Sequence, residues 1–105
     1  MRVAIVNDLR IATEALRRVV SSQPGHTVAW TAASGEQAVR QCAEDPPDVV
    51  LMELLMPGMN GAEATRQIMR QAPCPVLLVT ATVGGNIALV YRAMSAGALD
   101  AVETP

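Results

Sequence analysis

A doubly wound α/β domain with a five-stranded parallel sheet is predicted for this 105-residue chain, and three observations predict it. Short apolar runs alternate strictly with helical stretches. Three of those runs, Val3–Val6, Val49–Met52 and Val76–Val79, are apolar at every position, as in parallel strands covered on both faces. The connections between them are short, which requires right-handed crossovers with helices on both sides of the sheet.

The first strand, Val3–Val6, ends in Asn7-Asp8. Residues 11–21 then read as a helix with Ala15, Leu16, Val19 and Val20 on one stripe. Thr27–Trp30 is a weaker strand, expected nearer an edge. Ser34-Gly-Glu-Gln37 is a capping-box pattern that opens a helix running through Cys42 and Ala43. After the third strand, Val49–Met52, Asn60-Gly-Ala-Glu63 offers a similar start for a helix carrying Ala64, Ile68 and Met69. The fourth strand, Val76–Val79, leads to Gly84-Gly-Asn86 and a fourth helix with Ile87, Val90, Tyr91 and Met94, stopped by Gly97. Leu99–Val102 reads as the second edge strand. A sheet of this kind ordinarily closes with a further helix, and the sequence stops at Pro105. Residues 1–105 are therefore expected to be one domain at the front of a longer protein. The sheet face left uncovered predicts dimerisation or exchange of elements.

Half of the residues are apolar, with no Phe, one Trp and one Tyr, so the core must be aliphatic and methionine-rich. Net charge is −2, and the eight basic residues, all Arg, are scattered. That argues against nucleic-acid binding, whose expected footprint is a basic stripe. No apolar run approaches the ~20 residues of a membrane span, and no signal peptide is visible, so a soluble cytoplasmic protein is expected. Cys42 and Cys74 stand singly, without metal-ligand spacing, and read as reduced thiols rather than a disulfide.

Ligands of doubly wound domains bind outside the carboxyl ends of the strands. Here those ends are Asn7-Asp8, Glu53, Thr80-Ala-Thr82 and Glu103-Thr104-Pro105. Any one of these polar groups could simply cap the helix that follows. Four polar strand ends at one rim point instead to a functional pocket. Asp8 and Glu53 are expected to converge, and like charges held close need a proton or a cation. Oxygen ligands with water suit Mg²⁺. A hydroxyl at Thr80 could hydrogen-bond a phosphoryl oxygen.

The string Val3–Asp8, the segment Pro47–Gly61, the run Val76–Ala81 and the ending Gly97–Pro105 resemble the receiver domain of two-component response regulators, in order and across the whole chain except for a last helix. Ile5–Asp8, Glu14–Arg18, Ala62–Met69 and Thr80–Asn86 are most similar to the receiver at the front of chemotaxis-type protein-glutamate methylesterases, the CheB group. The resemblance implies a flavodoxin/CheY-like sheet in the order 2-1-3-4-5. It also implies phosphorylation by a sensor histidine kinase and a methylesterase output, attached or separate, that acts on chemoreceptor-type proteins. This chain alone would not be the enzyme. Carried onto the sequence, the resemblance makes Asp8 the direct Mg²⁺ ligand and brings Asn7 to the metal through water. Glu53 takes the phosphoacceptor position and also touches the metal, and the backbone carbonyl of Leu55 completes the ligands. Thr80 becomes the switch hydroxyl, Thr104 stands in the position of the usual Lys, and Pro57 and Gly61 shape the loop into the third helix.

Three residues depart from the family pattern. The phosphoacceptor is ordinarily Asp, and the extra methylene of Glu53 moves the carboxylate by roughly 1.5 Å, where about 1 Å of misplacement can cost a hundredfold in rate. Thr104 removes a charge-assisted contact to phosphate, and no Lys exists elsewhere to supply it. Arg10 is the nearby basic residue and is expected to be solvated. Ala101 replaces the usual aromatic of the fifth strand, and Tyr91 is expected to pack rather than to substitute for it. The resulting expectation is a poor phosphoacceptor locked in one state, inactive or phosphomimetic. Other readings are a small Mg²⁺-dependent phosphoryl-transfer enzyme built on Asp8 and Glu53, a pseudo-receiver interaction module, and a nucleotide- or flavin-binding domain. The enzyme reading lacks a base at the rim, because His26 begins the second strand. The nucleotide reading is opposed by a first turn, Asn7–Ile11, that has no glycine cradle. A homodimer through the fourth helix and fifth strand is also expected.

Overall fold

The computed structural model describes residues 1–105. Five strands, β1 (Arg2–Val6), β2 (Thr27–Ala32), β3 (Val49–Met52), β4 (Val76–Thr80) and β5 (Asp100–Glu103), pair in parallel in the order β2-β1-β3-β4-β5. The weak strands β2 and β5 lie at the two edges, and the three uninterrupted apolar runs lie between them, as their sequences require. Helices α1 (Arg10–Ser21), α2 (Gly35–Glu44), α3 (Gly61–Gln71) and α4 (Ile87–Ala96) form the crossovers, with a 3₁₀ turn at Gly84–Asn86 before α4.

The helix starts follow from side-chain chemistry. Ser34 Oγ accepts the Gln37 N–H at 3.2 Å, while Gln37 Oε1 accepts the Ala33 N–H at 2.7 Å, so the cap is reciprocal but reaches one residue further back than a standard box. Asn60 Oδ1 accepts the Glu63 N–H at 2.9 Å and opens α3. Gly97, with φ of +121°, ends α4, and the next amide, Ala98 N–H, returns to the Ala93 carbonyl.

Alternating strand residues feed two apolar layers. Ala4, Val6, Val50, Met52, Val76 and Leu78 face α2, α3 and α4 in the larger core. Val3, Ile5 and Val79 face α1 through Leu16 and Val20 in the smaller one, where Leu51 and Leu77 stay half-buried.

Two helical faces differ from expectation. On α1 the buried set is Thr13, Leu16 and Val20, whereas Ala15 and Val19 are exposed. Thr13 is tolerated inside because its hydroxyl donates to the Leu9 carbonyl at 3.2 Å. On α4 the buried residue is Ala93, with Leu89 and Val90 packed against the core, while Ile87 and Met94 face outward and Tyr91 is 72% exposed. The expected packing role of Tyr91 is thus corrected. α4 is apolar nearly all round, so periodicity could not choose a face, and small Ala93 wins because it lets α4 approach α3.

An exposed cluster on α3 links stability to pH. The Glu63 carboxylate receives Arg66 Nε at 3.0 Å and Gln67 Nε2 at 3.0 Å. The hydrogen bond from Arg66, then that from Gln67, lowers its pKa from 4.5 to about 2. A carboxyl depressed in the folded state stabilises the fold above its unfolded value and loses that contribution as pH falls toward the folded one. The urea midpoint should therefore fall between pH 4.5 and 2, with a smaller fall in Glu63→Gln. Superimposable pH curves for the two chains would disprove the link.

Candidate functional site

Because β1, β3 and β4 are adjacent and parallel, their carboxyl ends share one rim. The Glu53 N–H donates to the Val6 carbonyl at 2.9 Å, and Val6 pairs with Met52, so Asn7 and Glu53 continue that register one step beyond the strands. The Thr104 N–H donates to the Thr80 carbonyl at 2.9 Å, which sets Thr104 beside the end of β4. The backbone thus gathers Asn7, Asp8, Glu53, Thr80 and Thr104 along one edge, with His26 at the opposite, amino end of β2.

The side chains are less uniform. Asn7 is buried, and its Oδ1 accepts the Leu9 N–H at 2.9 Å, so it caps the turn into α1. Half-buried Asp8 lines a cavity of about 410 Å³ with Asn7, Arg10, Thr13, Glu14 and Thr31. Arg10 is exposed at its mouth, as expected of a solvated Arg. Glu53 is not among the residues lining this cavity. Its carboxylate turns back on its own loop, where Oε2 accepts the Leu54 N–H at 2.7 Å and the Leu55 N–H at 3.4 Å. Leu55 is half-exposed and borders a separate hollow of about 440 Å³ with Pro57, Gly58 and Leu89. Thr80 is 1% exposed, which gives its hydroxyl little access to bulk water. Thr104 is exposed.

The loop from Glu53 to α3 is held from beneath. The Gly61 N–H donates to the Leu54 carbonyl at 2.8 Å, and a Cβ on Gly61 would collide with the Glu53 carbonyl oxygen and lie 2.9 Å from Leu54 Cα. Gly58 adopts φ of +74°, a conformation that favours glycine. These two positions make the tight return from β3 possible.

The candidate donors are all oxygens, namely the Asp8 and Glu53 carboxylates, the Leu55 carbonyl and the Asn7 amide oxygen, although Asp8 and Asn7 line one cavity while Leu55 borders another and Glu53 lines neither. In chemical type these donors suit Mg²⁺, which takes one or two carboxylates and keeps several waters. Glu53 has Oε1 outside its two amide contacts, and Asn7 Oδ1 has a second lone pair available to a metal-bound water.

A partnership that sequence spacing gives no sign of lies deeper. Cys42 and Cys74, 32 positions apart, bring their sulfur atoms within 3.6 Å.

Comparison with known proteins matches the response regulator receiver domain family over residues 3–105. A protein-glutamate methylesterase/protein-glutamine glutaminase of Burkholderia thailandensis is 56% identical over 105 residues, all of this chain and 31% of that protein. The chain thus spans about a third of the length of the curated relatives it matches. Among solved structures, the response regulator domain of Thermotoga maritima CheB superposes with a TM-score of 0.93 at 34% identity, covering 100% of this chain and 78% of that one. A CheX-CheY-BeF3-Mg²⁺ complex from Borrelia burgdorferi gives 0.86 at 28% identity, covering 100% of this chain and 78% of that one. Five parallel strands in the order 2-1-3-4-5, polar groups at the shared rim and these likenesses together identify the molecule: the chain belongs to the response regulator receiver domains, of the type found in CheB methylesterases.

Proposed function

We propose that this domain is the regulatory receiver of a cytoplasmic protein-glutamate methylesterase that acts on chemoreceptors, and that Glu53 makes it a poor phosphoacceptor. The observation that carries the second half is the turn of the Glu53 carboxylate onto the Leu54 and Leu55 amides. In-line attack needs a carboxylate oxygen aimed at phosphorus, and one held by two N–H donors and displaced by a methylene is badly placed for it. A fixed state, inactive or phosphomimetic, follows.

A sensor histidine kinase would address the rim. Mg²⁺ would be held by Asp8, Glu53 and the Leu55 carbonyl, with Asn7 reached through water; the Mg²⁺ in the Borrelia complex supports this reading. The ion would supply charge neutralisation for a phosphoryl group. The chain's own residues do the rest: Thr80 offers its hydroxyl to a phosphoryl oxygen, and Thr104 leaves that group without the cation ordinarily opposite it. The output would be read at α4 and β5, whose outward residues include Ile87, Tyr91 and Val102, with exposed Leu99 in the connection between them. A second copy of the chain would compete for the same face.

Incubation with acetyl phosphate and Mg²⁺, followed by intact mass, tests the proposal. No stoichiometric phosphoryl gain is expected. A full phosphoryl adduct mapped to Glu53 would refute the locked state.

A further inference from the structure

The two cysteines belong to the same apolar core. Cys42 lies in the last turn of α2, on its buried face with Ala38 and Val39, and Cys74 lies in the connection from α3 to β4. Both are free, at 0% and 7% exposure, with sulfur atoms 3.6 Å apart. Pro73 and Pro75 flank Cys74 and are exposed, while Cys74 itself is buried. The Pro that follows restricts Cys74 to extended conformations. Closing 3.6 Å to the ~2.0 Å of a disulfide needs a movement of about 1.5 Å.

We propose that Cys42 and Cys74 form a reversible intramolecular disulfide when hydrogen peroxide reaches them, tying α2 to the entry of β4.

Buried structural thiols are ordinarily inert. Here a second thiol stands within contact distance, and the hydrogen bond between the two sets their acidities apart. That bond, then burial, pushes the Cys42 thiol well above its usual range, and the same bond lowers Cys74. Cys74 is thus both the more acidic sulfur and the one nearer the surface. Its thiolate attacks one peroxide oxygen, so that an S–O bond forms, the O–O bond breaks and hydroxide leaves to take up a proton. The Cys42 sulfur then attacks Cys74 Sγ, forming the S–S bond and breaking S–O, and a second water departs. Two thiols lose two protons and two electrons, and one peroxide becomes two waters. The closed loop encloses residues 43–73, which carry β3, Glu53, Leu55 and α3.

The full chain should be titrated with hydrogen peroxide, alkylated with iodoacetamide and weighed intact. The expected product is a monomer lighter by two hydrogens, without alkylation, with a peptide joining Cys42 to Cys74. Dithiothreitol should reverse it, and Tm should rise by about 10 °C in the oxidised form. Cys42→Ser should leave a Cys74 sulfenic acid that dimedone traps, and Cys42→Ala serves if the serine chain does not fold. Cys74→Ser should suppress the reaction. Two thiols still open to alkylation after excess peroxide, further-oxidised sulfur without the cross-link, or cross-linked dimers alone would each overturn the proposal.

Discussion

Glu53→Asp should raise the rate of phosphoryl gain from acetyl phosphate in Mg²⁺ by about a hundredfold. The backbone at this position is held in place: the Glu53 N–H is anchored to the Val6 carbonyl at 2.9 Å, and the loop beyond is fixed through Gly61 and the Leu54 carbonyl at 2.8 Å. The substitution therefore moves only the carboxyl group, drawing it back by roughly 1.5 Å. It also shortens the arm that lets Oε2 reach the Leu54 N–H at 2.7 Å. The readout is the time course of a single phosphoryl adduct by intact mass, mapped to residue 53. Equal rates for the two chains would mean that carboxylate placement is not what limits the reaction, and the proposed function would lose its central support.

Gly61→Ala should destabilise the domain by about 3 kcal/mol, the upper range for overpacking a close-packed site. The obstacle is backbone, namely the Glu53 carbonyl and Leu54 Cα, neither of which can rotate away as a flexible side chain can. The start of α3 would have to retreat from the end of β3 and stretch the bond from the Gly61 N–H to the Leu54 carbonyl. The chemical denaturation midpoint should drop sharply, and amide exchange at Leu54 and Leu55 should quicken. Gly35→Ala is the contrast, since the nearest atoms to the added carbon there belong to the half-buried Met59 side chain, 2.9 Å away at Cγ, which is more flexible than backbone. If Gly61→Ala unfolds no earlier than Gly35→Ala, the rigidity ascribed to this loop is wrong.

Much of the architecture was readable in one dimension. Uninterrupted apolar runs at Val3–Val6, Val49–Met52 and Val76–Val79 became the three inner strands, because only a strand covered on both faces requires apolar residues at every position. Ser34 and Asn60 marked helix starts through groups that satisfy free amides, an effect local to four residues. The rim itself was readable too, since parallel strands must bring their carboxyl ends to one edge. Faces were harder. The stripe assigned to α1 included Ala15 and Val19, yet burial fell on Thr13, whose polarity hid it. On α4, Ile87, Tyr91 and Met94 turned outward and Ala93 inward, since a helix apolar all round carries no directional signal.

Sequence alone determined the alternation of elements, the placement of the inner and edge strands and the polar identity of each strand end, because these depend on patterns confined to a few neighbouring residues. Only the tertiary structure decided that the Glu53 carboxylate folds back on the Leu54 and Leu55 amides, that the Asp8 cavity lies between the ends of β1 and β2, and that Cys42 meets Cys74. Those outcomes depend on rotamers chosen against neighbours that arrive from distant parts of the chain, and neither spacing nor composition encodes which neighbours those will be.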